Sequence, residues 1–353
     1  MDELYYTSID LLKHLIATPS TSRNEEEAAN IIVDFLSSNG HIPRRHGNNV
    51  WAIAPGYNNS LPTILLNSHI DTVKPVDGWS LDPYTPTIDA SERLFGLGSN
   101  DAGASVVSLL AAFIYMSDKK RNYNLIILTS CEEEISGKAG IESVIPLLPP
   151  IDVAIVGEPT DMRPAIAEKG LMVLDGEITG KSGHAARNEG INAIYETLPI
   201  IDTLRNLKFD KESPTLGPVK ISVTQIQAGT QHNVIPDICK IVVDVRTTDA
   251  YNNLETLELI RNAVPKCLLT PRSTRLNSSK ISPHHPIVER MKLLEATPFG
   301  SPTLSDQALM PWQSVKLGPG SSSRSHTANE FIYLTEIRHA IETYIKLLDG
   351  LTL

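Results

Sequence analysis

A chain of 353 residues with 31 basic and 41 acidic side chains carries a formal net charge of −10, which argues against a general nucleic-acid binder. With 41% hydrophobic residues it can bury a full core, and at roughly 150 residues per domain its length predicts two domains. Three cysteines with no Cys-x-x-Cys pair predict a reducing, cytoplasmic setting, the N-terminus lacks a basic-then-apolar leader, and no apolar run approaches the ~20 residues of a membrane span.

Ile9, Leu12, Leu15 and Ile16 recur at helical spacing, with Pro19 after them. A second helix is expected with Asn24 as N-cap, Glu27 at the capping-box position, Ala28, Ile31, Ile32, Phe35 and Leu36 inside, and Gly40 past its end. The runs 50–54, 63–67, 125–129 and 153–157 read as strands, and 103–117 as a buried helix. Strands that are apolar on both faces and alternate with helices predict an α/β layer around a largely buried sheet. From about residue 171 the pattern changes. Strands are expected at 171–180, 219–227 and 240–247, with a short one near 274–281. Helices are expected from Asn192, with Pro199 as a kink, and from Asn253. That order, β-α-β-β-α-β, is ferredoxin-like. Two more helices follow, the last with Ile337, Ile341, Ile345 and Leu348 on one side and Gly350 beyond it. The stretch 318–325 reads as a mobile loop.

Five short segments carry metal-ligand types. His69 and Asp71 follow one strand, Asp101 opens a helix in a Gly-rich turn, and Glu132, Glu133 and Glu134 follow another strand. Glu158 sits at a third strand end, and His326 precedes the last helix. Each alone has an ordinary reading: a turn, a cap or a solvated charge. Together they matter, because an α/β sheet gathers its ligands at strand ends, and imidazole with carboxylate suits zinc or a similar divalent ion. Asp71 is placed to hydrogen-bond the second nitrogen of His69.

In this order the segments resemble the co-catalytic zinc peptidases and deacylases that include acetylornithine deacetylase, succinyl-diaminopimelate desuccinylase, aminoacylase and glutamate carboxypeptidase. "SHIDTV" is similar to that family's His-x-Asp motif, "FGLGSND" to its Gly-x-Gly-x-x-Asp, "EEEISG" to its Asp-Glu-Glu-x-Gly and "VGEPT" to its Gly-Glu-Pro-Ser/Thr. Leu97, Ala102, Glu132 and Ser136 depart from the usual residues. The register of the glutamate run is open between 132/133 and 133/134, and Ile135 favours the second. The resemblance implies an α/β mixed-sheet catalytic domain, residues 1–170 and 282–353, with an inserted ferredoxin-like lid and dimerisation domain, 171–281.

It implies two Zn²⁺, with Co²⁺ as a substitute. His69 and Glu158 would hold one, Glu134 and His326 the other, and Asp101 would bridge. Glu133 would be the general base and Asp71 the orienting acid. From the lid, His184 would reach the partner's active site in a homodimer, and Asn233 and Arg246 would bind substrate. Without the resemblance, His184 reads as a surface histidine and Arg246 as a strand arginine in an ion pair. The expected activity is metal-dependent hydrolysis of an N-acyl amino acid, foremost N-acetylornithine or a related N-acyl-ornithine or citrulline in arginine biosynthesis. Succinyl-diaminopimelate desuccinylation or a dipeptidase or carboxypeptidase activity is the alternative. A catalytically silent metal-binding scaffold would require the base to be lost, and Glu133 is present.

Overall fold

Long apolar runs become the middle of a sheet that is covered on both faces. In the computed structural model, which describes residues 2–353, strands Thr63–His69, Asn124–Ser130 and Val153–Val156 are buried along their whole length. Thr63–His69 lies between the other two, and all three run parallel. Gln313–Lys316 continues the parallel set, while Asn49–Ile53 and Arg44–His46 add an antiparallel edge, so the sheet is mixed. Alternate side chains along each strand enter opposite layers. Leu66, Ile127 and Ile155 pack with helices Asp2–Ile16, Glu26–Ser38, Ala104–Ser117 and Leu334–Leu348. Leu65, Ile126 and Val156 pack on the other side with Trp51, Ile141 and Val144.

The chain forms two compact units: Met1–Ile166, Lys280–Phe299 and Ser305–Leu353 in the first, Ala167–Ser279 and Gly300–Leu304 in the second. In the second, Lys220–Ala228, Ile238–Thr247, Gly170–Thr179 and Leu268–Pro271 lie side by side in that order, all antiparallel. With helices Ala193–Asn206 and Asn253–Ala263 the chain order is β-α-β-β-α-β. Alternation along Gly170–Thr179 buries Met172, Leu174 and Ile178 in this unit's own core. A two-residue ribbon, Gly183–His184 against Val234–Ile235, stands apart from that sheet.

Four local expectations need correcting. Helix Glu26–Ser38 starts after Glu25, and Asn24 gives its side-chain amide to Thr21 instead of capping. The fourth strand of the second unit is Leu268–Pro271, because Leu269 supplies an inward residue there; residues 274–278 form no strand. The stretch 318–325 is pinned: Gly318, Pro319 and Gly320 are buried, and the carbonyls of Gly318 and Gly320 accept the N–H groups of Thr160 and Asp161. The unit boundaries fall at 166/167 and 279/280, earlier than expected. Residues 300–304 join the second unit through bonds such as Lys169 N–H to the Ser301 carbonyl, 3.1 Å. The three cysteines are free and buried. No helix among the described residues is long and apolar enough to cross a membrane.

Candidate metal centre

Strand register brings the acids together. His69 is level with Ser130 on one neighbour, and Asn67 with Val156 on the other. The next residues therefore leave the same end of the sheet: Cys131–Glu134 on one side, Gly157 and Glu158 on the other. His69 is buried, and its Nδ1 lies 2.8 Å from the Asp71 carbonyl oxygen. A carbonyl only accepts, so Nδ1 carries the hydrogen and the Nε2 lone pair faces outward. The expected bond to the Asp71 carboxylate is replaced by this backbone bond; the carboxylate itself stands 3.6 Å from Nδ1. It accepts instead from the N–H groups of Glu133 at 3.0 Å and Glu134 at 3.1 Å, and from Ser22 Oγ at 2.7 Å.

Around His69 Nε2 stand Asp101 at 3.2 Å, Glu158 at 3.7 Å and Glu133 at 4.0 Å. Asp101 comes from the turn before helix Ala104–Ser117. That turn needs Gly98 at φ +75°, where an added Cβ would meet Thr72 Cγ2 at 2.7 Å. Its other carboxylate oxygen is 3.6 Å from His326 Nε2, which is 3.0 Å from Glu134. Thus Asp101 stands between the two histidines. Glu132, at φ +54°, turns toward Arg23 and the Ala139 N–H instead, which supports the 133/134 register.

The electrostatics ask for a cation. Burial would depress the His69 pKa, but Asp101, Asp71, Glu133 and Glu158 outweigh it and raise it well above the usual value. Burial raises Glu158 to about 8, opposed by His69 and reinforced by Asp101. Burial also raises Glu133 well above the usual range, opposed by His69 and reinforced by Glu158, Asp306 and Glu134. Its bond to Glu134 raises His326 to about 9, against burial. Carboxylates crowded around an outward Nε2 need positive charge there, a proton or a metal. The donors fit a metal. One potential ligand atom each from His69, Asp101 and Glu134, or from His69, Glu133 and Glu158, lies within 4.8 Å of the others.

His184, Asn233 and Arg246 belong to the second unit. His184 lies in the ribbon and Asn233 just before its second strand, and the Ala185 N–H donates to the Asn233 carbonyl at 3.0 Å. His184 is exposed, and its Nδ1 accepts the Ala186 N–H. Arg246 is held by Asp244 through two bonds, 2.9 and 3.2 Å. Among the buried acids that sequence reasoning missed are Glu25, Asp306 and Glu330. Glu25 accepts from Arg23 N–H, Glu132 N–H and Asn48. Asp306 accepts from Asn67 and Ser130. Glu330 accepts three N–H groups of the Asp101 turn. A polar Asn67 inside an apolar strand was the available signal for the second.

The family model described as Peptidase family M20/M25/M40 matches residues 65–350. A probable carboxypeptidase of Aspergillus flavus is 27% identical over 95% of this chain and 88% of its own. An acetylornithine deacetylase of Aliivibrio salmonicida is 29% identical over 81% and 80%. A succinyl-diaminopimelate desuccinylase of Pelagibacter ubique is 26% identical over 74% and 72%. Among solved structures, the aminopeptidase PepT from Bacillus cereus has a TM-score of 0.80 at 16% identity, covering 98% of both chains. A dinuclear metal-binding peptidase from Bacillus subtilis has 0.75 at 18%, covering 99% of this chain and 98% of its own. At these identities the structural likeness shows the fold.

Proposed function

The chain belongs to peptidase family M20/M25/M40, and from that premise we propose that it hydrolyses the amide bond of an N-acyl amino acid, with N-acetylornithine of arginine biosynthesis as the foremost substrate. The observation that carries the reaction class is the convergence of His69, Asp101, Glu134, Glu158 and His326, with Glu133 beside them. Likeness to acetylornithine deacetylases supports the substrate. Likeness to a desuccinylase and to probable carboxypeptidases supports succinyl-diaminopimelate or a short peptide as the alternative.

His69 and Glu158 would hold one ion, Glu134 and His326 the other, with Asp101 between them; the ions proposed are Zn²⁺, replaceable by Co²⁺. Metal ions held there would supply Lewis acidity to the scissile carbonyl and lower the pKa of the attacking water. Glu133 takes that water's proton and passes it to the leaving amine, a task its raised pKa suits. Asp71 fixes the direction of Glu133 and Glu134 through their N–H groups. From the second unit, His184 of one protomer would donate to the developing oxyanion in its partner's site, in a homodimer. Asn233 and Arg246 would bind the substrate carboxylate, which Arg246 must share with Asp244.

The test is hydrolysis of N-acetylornithine, N-succinyl-diaminopimelate and dipeptides, before and after chelation, with Zn²⁺ or Co²⁺ restored. Metal-restored activity highest on N-acetylornithine is expected. Full activity after thorough chelation would remove the metal mechanism, and equal rates on dipeptides would remove the substrate assignment.

A further inference from the structure

Glu330 is 2% exposed, yet it is not part of the donor cluster. One carboxylate oxygen accepts the Gly98 N–H at 3.1 Å, and the other accepts the N–H groups of Asn100 and Asp101 at 2.8 and 2.9 Å. Its own carbonyl accepts the Gly96 N–H at 3.1 Å. Four N–H groups at the turn that presents Asp101 are therefore held by one residue, and that residue lies four positions after His326. A second tie runs in reverse. Asn100 accepts the Ser321 N–H at 3.1 Å and donates to the Ser321 carbonyl at 3.1 Å and to Ser325 Oγ at 3.3 Å. Two segments far apart in sequence are thus bolted together just behind Asp101 and His326.

We propose that Glu330 is a positioning residue for the metal centre, setting the distance between Asp101 and His326 at which the two can share an ion. Only a carboxylate answers three N–H donors with two acceptor oxygens; a glutamine would turn an NH₂ group toward one of them. Asp101 would touch both ions, but the ion at His69 and Glu158 would keep two donors on strand ends, whereas at the ion of Glu134 and His326 the tie places both Asp101 and His326. The inference rests on the reading of Asp101 and His326 as metal donors.

Calorimetric Co²⁺ titration of the full chain, wild type and Glu330→Gln, tests it, together with hydrogen exchange of segment 96–101 in the metal-free protein. Wild type is expected to bind two ions. In Glu330→Gln one affinity falls roughly 10–100-fold while the other changes much less, and exchange in 96–101 speeds up. If that variant does not fold, Asn100→Ala removes the reverse tie and is expected to give the same one-site loss. Unchanged Co²⁺ affinities, or equal losses at both sites, overturn the inference. A wild type that binds no Co²⁺ overturns the metal-centre reading beneath it as well.

Discussion

The Asp71 carboxylate accepts the backbone N–H of Glu133 at 3.0 Å, so one buried acid fixes the direction in which a second acid leaves the chain. The other oxygen does the same for Glu134 at 3.1 Å. Asp71→Asn puts an NH₂ group against one of these donors. We expect metal affinity to fall roughly 10–100-fold, as seen when groups that orient metal ligands are lost. Calorimetric Zn²⁺ binding checks this, and unchanged affinity would show that Asp71 does not orient the ligands.

Glu133 and Glu132 are adjacent acids with different surroundings. Glu133→Gln is expected to lower kcat about 10²–10⁴-fold, the usual weight of a positioned acid–base group. Glu132→Gln is expected to keep kcat within a few-fold, since its side chain faces Arg23 and Ala139. Steady-state kinetics with metal content measured in parallel decides; the reverse ranking would shift the register to 132/133.

The metal-free protein is expected to lose stability as pH rises. Glu158 is raised from 4.5 to about 8, so the folded state holds its proton more tightly, and the stability it contributes below 4.5 is lost as pH rises through 8. His326 is raised from 6.5 to about 9 and acts in the same sense, its contribution being lost as pH rises through 9. Added Zn²⁺ opposes the trend, because binding needs deprotonated donors. Thermal melts from about pH 5 to about pH 9, with and without Zn²⁺, read both. A metal-free midpoint that climbs across this range would contradict the charge arrangement.

His184→Ala is expected to lower kcat by roughly 10²-fold, the scale of one oxyanion donor, with Zn²⁺ content unchanged. Mixing it with a Glu133→Gln chain should restore part of the activity if each protomer serves its partner's site. Failure to complement would place His184 outside its partner's site, and an unchanged kcat in His184→Ala would place it outside the reaction.

The parts legible in the sequence are those with a one-dimensional signature. Thr63–His69 and Asn124–Ser130 announce themselves as apolar runs, and His69, Asp101, Glu134, Glu158 and His326 as donor types beside strand ends or turns. Glu25, Asp306 and Glu330 were not legible. Most of their partners are backbone N–H groups and small side chains distant in sequence, and an acid that meets them looks in the sequence like any solvated acid. The loop 318–325 misled for a related reason: its glycines permit close approach by Glu158 and Asn100, and small residues read as mobility from sequence alone.

The donors enter the centre from residue 69 to residue 326, by way of three strand ends and two loops. During synthesis, a chain that has reached Glu158 already carries His69, Asp101, Glu134 and the acids around them, but it lacks His326 and the Glu330 that fastens the Asp101 turn. His326 and Glu330 follow all the other donors in the chain, so the second proposed ion cannot be held before both have been made. A product cut short before residue 326 would keep His69, Asp101 and Glu158 but leave Glu134 without its imidazole, so the two proposed ions would be lost unequally.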